Sequence, residues 1–107
     1  MSRTPEAIFQ RLVEAEVGRP SVSVGKMFGS LVLKVEGKVF AMLVKGRLVV
    51  KLPRKRVDDL LVLGLGEKFD PGHGKASKEW IAVDANGSRR WGPLVDEARE
   101  FVVASSR

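Results

Sequence analysis

Apolar positions recur at helical spacing near the start of the chain and at strand spacing after residue 30. Ile8, Phe9, Leu12, Val13 and Val17 fall on one helical face, which predicts a helix from Thr4 to about Val17. Thr4 is a suitable cap, Pro5 a suitable first helical residue, and Glu6 suits the positive end of the dipole. Gly18, Arg19 and Pro20 then stop the helix. Three strands rich in Val, Leu and Phe follow as a meander, at about Ser30–Glu36, Lys38–Lys45 and Arg47–Leu52. Glu36-Gly37 and Lys45-Gly46 separate them, each with the glycine that a tight hairpin needs.

Two-residue turns at both places put Val32, Val39, Ala41, Leu43, Leu48, Val50 and Leu52 on one sheet face. The other face holds Leu31, Leu33, Phe40, Met42 and Val49 beside Lys38, Arg47 and Lys51. This second face is too apolar to be simply solvated, so it is covered by chain or it meets a partner. A one-residue slip would exchange the two sets on the slipped strand. Pro53 ends the third strand, and a short helix is expected from about Arg54 to Leu63, with Val57, Leu60 and Leu61 inward and Gly64 as its stop. A short strand begins at Lys68-Phe69, another spans Glu79–Val83, and Asp84–Gly87 reads as a turn. The last helix starts near Pro93 and buries Leu94, Val95, Ala98, Phe101 and Val102. The order α-β-β-β-α-β-β-α, with hairpins instead of crossovers, predicts an α+β fold: a two-layer antiparallel sheet with packed helices.

Composition narrows the function classes. The chain has 107 residues, 44% of them hydrophobic, which fits one globular domain. Cysteine is absent, which excludes disulfides, thiolate metal sites and cysteine nucleophiles. Met1 to Gln10 is polar, so no signal peptide is expected. The longest apolar runs, such as Leu60 to Leu65, fall far short of the roughly 18 residues that span a bilayer. A soluble, cytoplasmic protein with no membrane partner is expected. The net charge is +6, but unevenly spread: residues 21–56 carry nine Lys or Arg against Glu36 alone, a local +8. Residues 57–70 carry Lys68 against Asp58, Asp59, Glu67 and Asp70, a local −3. Such a basic block attracts nucleic acid or an acidic protein, or else its lysines guard strand edges and turns.

Three ordered segments resemble a known family. Lys26-Met27-Phe28-Gly29, Gly37-Lys38-Val39-Phe40-Ala41 and Gly46-Arg47-Leu48-Val49-Val50-Lys51-Leu52 are similar to the TfoX/Sxy N-terminal domain. Phe69-Asp70-Pro71-Gly72-His73-Gly74 followed by Glu79-Trp80 resembles a variant found among its stand-alone members, and the likeness runs from about Val22 to Val103. It implies one TfoX N-terminal-like domain over 1–107, of secretion-chaperone-like fold, in a regulatory setting. The longer relatives carry a second, helical C-terminal domain, and these 107 residues are expected to form the N-terminal-like domain alone. Ser30 and Val49-Val50 also stand where the family often has glycine and an aromatic. No catalytic residues are established for the family, so none is carried over.

Candidate chemistry is sparse. His73 is the only histidine and the natural suspect for acid–base work. Ser77 nearby lacks a third triad member, and only Asp70 and Glu79 could join His73 around a metal. No catalytic residue, metal site or cofactor is therefore expected. Gly72-His73-Gly74-Lys75-Ala76-Ser77 fails as a phosphate-binding loop, which needs glycine at Phe69 and a hydroxyl at Ala76. Arg54, Lys55 and Arg56, with Lys51 nearby, form a candidate anion or nucleic-acid contact, because cations at a helix start oppose the dipole unless they hold an anion. Asp58 and Asp59 offer them an internal alternative at helical spacing. Met27, Phe28, Leu31, Leu33 and Met42 form a candidate partner surface on the second sheet face and its approach. Trp80 and Trp91 read as core or rim residues.

The leading expectation is a non-catalytic binding or regulatory module that contacts an unidentified protein partner or a second copy of itself. The alternative is a weak, sequence-independent nucleic-acid-associated domain, which has the charge but no groove-reading motif. A small-molecule enzyme comes third.

Overall fold

The computed structural model describes residues 4–27, 30–70 and 78–105. Helix α1 spans Pro5–Glu16, and the Thr4 hydroxyl accepts from the Ala7 N–H at 3.1 Å, so the expected cap forms. Strands β1 (Val22–Met27), β2 (Ser30–Val35), β3 (Lys38–Val44) and β4 (Arg47–Lys51) follow. Both hairpins beyond β2 turn through left-handed pairs: Glu36 and Gly37 at φ 52° and 80°, Lys45 and Gly46 at 51° and 76°. Two positive φ values in succession define the type I′ turn, whose twist matches that of the strands it joins. Helix α2 (Arg54–Val62) ends where Gly64 donates to the Leu61 carbonyl and Leu65 to that of Leu60. Strands β5 (Glu67–Lys68) and β6 (Trp80–Val83), a 3₁₀ turn (Ala85–Arg90) and helix α3 (Trp91–Ser105) complete the order.

The fold is α+β, as expected, with one strand more than the sequence pattern shows. All six strands form one antiparallel sheet in the order β1-β2-β3-β4-β6-β5. The additional strand, β1, is an edge strand that pairs, among the described residues, with β2 alone. The face assignment also needs correction at β2 and the start of β3. Leu33 pairs with Ala41 but Lys34 with Val39, which leaves Phe40 as the extra residue of a bulge. One extra residue inverts the pleat beyond it. Leu33 and Phe40, expected on the second face, therefore lie in the main core, and Lys38 moves with them, opposite Val35. Val32 and Val39 take their places on the other side.

All three helices pack on one face of the sheet. Phe9 and Val13 of α1, Val57 and Leu60 of α2, and Trp91, Leu94, Val95, Ala98 and Val102 of α3 meet Leu33, Val35, Phe40, Ala41, Leu43, Leu48, Val50, Leu52, Ile81 and Val83. Burying each large aliphatic or aromatic side chain contributes about 1.5–3 kcal/mol, so this layer dominates stability. Helix α3 begins two residues before Pro93. Trp91 is fully buried and its indole N–H donates to the Asp84 carbonyl at 3.1 Å. The Asp84 side chain itself accepts from the Asn86 and Gly87 N–H groups, which turns the residues expected as a plain turn into the 3₁₀ segment.

The end of α1 departs from its expected apolar stripe. Val17 is 47% exposed, whereas Glu16 is 4% exposed inside the helix layer. The Glu16 carboxylate accepts from Arg99 of α3 and from Arg19 at 3.0 Å, and Arg99 also reaches Asp96 at 3.0 Å. Burial alone would lower the Arg99 pKa, but its hydrogen bonds to Glu16 and Asp96 outweigh that and raise it, so the guanidinium stays charged. This cluster fastens the C-terminal end of α1 to α3.

Candidate partner-binding groove

The face of the sheet turned away from the helices carries its own apolar cluster. Register aligns Val32 with Met42, Met42 with Val49, and Val49 with Ala82, a row across four strands. These four are between 0% and 8% exposed although, among the described residues, no apolar side chain of a helix packs on them. Val39, Val44, Phe69 and Trp80 cover them from above and remain only partly buried. Trp80 starts β6 opposite Lys51, and Phe69 follows the edge strand β5 beside it, so β6 and the end of β5 build one wall. Met27, at the end of β1, and Val44 contribute to the other side.

Between these walls lies an open groove of about 770 Å³ with Val32 and Met42 on its floor. That volume is in the range of sites that hold a ligand or a short partner segment. Lys45, Arg47, Lys68 and Asp70 line its charged end. Arg47 donates to the Glu67 carboxylate at 3.0 Å, an exposed pair of the kind worth about 0–1 kcal/mol. The groove thus offers dispersion and apolar burial along its length and mostly positive charge at one end. Its chemistry suits docking: it can bury an apolar segment and orient a neighbouring acid.

The residues singled out from the sequence separate into different places. Met27 is 38% exposed and lines the groove, and Met42 forms its floor. Leu33 is fully buried in the helix-side core and Leu31 packs against the same core, so neither faces a partner here. Phe28, His73 and the 72–77 segment lie outside the described residues. Lys51 shares the groove side of β4 with Val49 and Arg47, by strand alternation. Arg54, Lys55 and Arg56 begin α2 on the helix side, so the four cations form no common surface. Arg54 and Lys55 are exposed at a helix start whose Pro53 supplies no capping bond. Arg56 is engaged elsewhere: it makes a two-pronged pair with Glu97 of α3, at 2.9 and 3.2 Å, where Asp58 and Asp59 had been the expected partners. The hydrogen bond to Glu97 raises the Arg56 pKa, against a smaller opposing effect of burial.

Sequence reasoning missed Phe69, Val44 and Trp80 as walls of one site. The alternation of β6 does place Trp80 with Ala82 and opposite Ile81, which was a usable signal. Among the described residues no group of three His, Asp or Glu side chains could hold a metal ion. Nor is any helix among them long and apolar enough to cross a membrane. No protein-family model matches the chain, and no curated protein does.

Proposed function

We propose that the chain is a non-catalytic binding module that docks a segment of a partner protein in the groove on the helix-free face of its sheet. One observation carries this reading: Val32, Met42, Val49 and Ala82 form a second apolar cluster whose cover stays half-open around a groove of about 770 Å³. A folded chain gains nothing for its own stability from leaving Trp80, Phe69, Val44 and Met27 partly exposed around it. Residues similar to the TfoX N-terminal domain support a regulatory setting for that binding, and the lack of cysteine suits a reducing, cytoplasmic one. Net charge of +6 on each copy disfavours self-association and favours a distinct, more acidic partner.

The test is affinity capture from native extract, with and without nuclease, using the natural chain and a Met27→Glu/Val44→Glu variant checked to melt like it. A defined protein recovered despite nuclease, and lost with the variant, is the expected result. Recovery that nuclease abolishes, or that the variant leaves unchanged, overturns the reading.

A further inference from the structure

Among the described residues, strand β1 is the long edge of the sheet and pairs with β2 only; the opposite edge, β5, has only two residues. The Glu36 N–H donates to the Ser21 carbonyl at 3.0 Å, which fixes the pairing phase of β1 against β2. Bonding alternates along an antiparallel pair, so Ser23, Gly25 and Met27 bond to β2 while Val22, Val24 and Lys26 turn their backbone groups outward. The Val22 N–H is already taken, by the Arg19 carbonyl at 3.3 Å. Val24 and Lys26 keep N–H and C=O groups on the outer rim, where no described element bonds to them. The β1–β2 register runs over six pairs without a shift, so no bulge twists this edge away.

Charge marks the same edge on both of its faces. Lys26 is exposed and shares the helix side with Val22, which packs against the core. On the groove side the Lys34 stem lies over Gly25: a Cβ there would come 3.1 Å from Lys34 Cε and 3.3 Å from its Nζ. An incoming strand therefore meets free backbone groups flanked by an ammonium above and another below. A second copy paired antiparallel across Val24 would set Lys26 opposite Val22, and its β1, which holds no acid, would offer no carboxylate to either lysine. We infer that the β1 edge takes an extended acidic peptide segment as a seventh strand, hydrogen-bonded to Val24 and Lys26 and with its carboxylates toward Lys26 and Lys34. This inference stands whether or not the groove takes a partner.

The probe is an end-blocked decapeptide of threonine pairs alternating with glutamate pairs, which carries carboxylates on both faces of an added strand, with the corresponding threonine–lysine peptide as its counterpart, titrated against the ¹⁵N-labelled chain. The glutamate peptide should shift amides of residues 22–27 and, near saturation, slow hydrogen exchange at Val24 and Lys26 by roughly ten-fold. The lysine peptide should do neither at the same concentration. Val24→Pro, which removes one outward donor from an edge position that tolerates proline, should abolish binding with the rest of the spectrum retained. Lys26→Glu/Lys34→Glu should reverse the preference between the peptides, and it decides the matter should the proline variant fail to fold. Equal response to both peptides, shifts centred on Arg54 and Lys55, unaltered exchange at Val24, or protection of Val24 in concentrated protein without peptide would each overturn the inference.

Discussion

Replacing Glu16 by alanine should cost stability out of proportion to the size of the side chain. The carboxylate sits at 4% exposure and holds Arg99, whose side chain is 14% exposed, together with Arg19. Truncating one member of a fully buried pair costs about 3–5 kcal/mol, because the other charge is left stranded. Arg99 is not fully buried and keeps Asp96 at 3.0 Å, an acid that is itself half exposed, so part of that cost is recovered. The expected loss is about 2 kcal/mol, a drop in melting temperature of roughly 8 °C for a domain of this size. Urea denaturation followed by circular dichroism should show the midpoint falling with the slope unchanged. Glu16→Met/Arg99→Met, which replaces the pair by apolar groups of similar length, should return to within about 1 kcal/mol of the natural chain. A Glu16→Ala loss below about 0.5 kcal/mol, the level of an ordinary surface change, would refute the idea that the cluster fastens α1 to α3. A double methionine variant less stable than Glu16→Ala alone would refute the stranded-charge account.

Further substitutions probe other joints of the fold. A Cβ on Gly66 would meet Ile81 Cδ1 at 2.6 Å and Cγ1 at 2.8 Å, so Gly66→Ala should cost about 1–3 kcal/mol, and Ile81→Val in the same chain should return part of it in thermal melts. Trp91→Phe removes the indole bond to the Asp84 carbonyl, with an expected loss of about 1–3 kcal/mol in urea. Arg54→Ala/Lys55→Ala should change stability by less than about 0.5 kcal/mol, since both side chains are exposed and oppose the helix dipole. Any DNA binding should weaken equally for unrelated duplexes in that variant, with a shallower salt dependence; loss confined to one sequence would contradict it. Arg56→Ala, by contrast, should cost about 0.5–1 kcal/mol through its half-exposed pair with Glu97.

Those joints differ in how far the sequence announces them. Local chemistry was readable: Thr4 and Pro5 start α1, Glu36-Gly37 and Lys45-Gly46 set the hairpins, and Gly64 ends α2. Strand β1 was not, because an edge strand with one packed side reads Val-Ser-Val-Gly-Lys-Met, a pattern little different from a loop. The bulge at Phe40 left no mark either, since Val39, Phe40 and Ala41 are all apolar and any of them could be the extra residue. That one residue decided which of Leu33 and Val32 floors the groove. Glu16 and Arg99 stand 83 residues apart, and Glu16 looks like any acid on a solvated helix face until α3 closes over it. Of the candidate partner surface, Met27 and Met42 reach the groove because strand alternation carries them there. Phe69 and Trp80 join it only through the pairing of β6 between β4 and β5.

The placement of the two tryptophans gives the molecule a built-in pair of optical reporters. The chain has no tyrosine, so its near-ultraviolet emission comes from Trp80 and Trp91 alone. Trp91 is fully enclosed with its indole N–H bonded to a carbonyl, and should emit at short wavelength, resist iodide quenching and change only when the core opens. Trp80 stands half-exposed in the groove wall, and should emit further to the red, be quenched, and shift toward blue when something apolar settles beside it. A Trp91→Phe chain would then report occupation of the groove, and a Trp80→Phe chain global unfolding, by the same simple measurement and without an added dye.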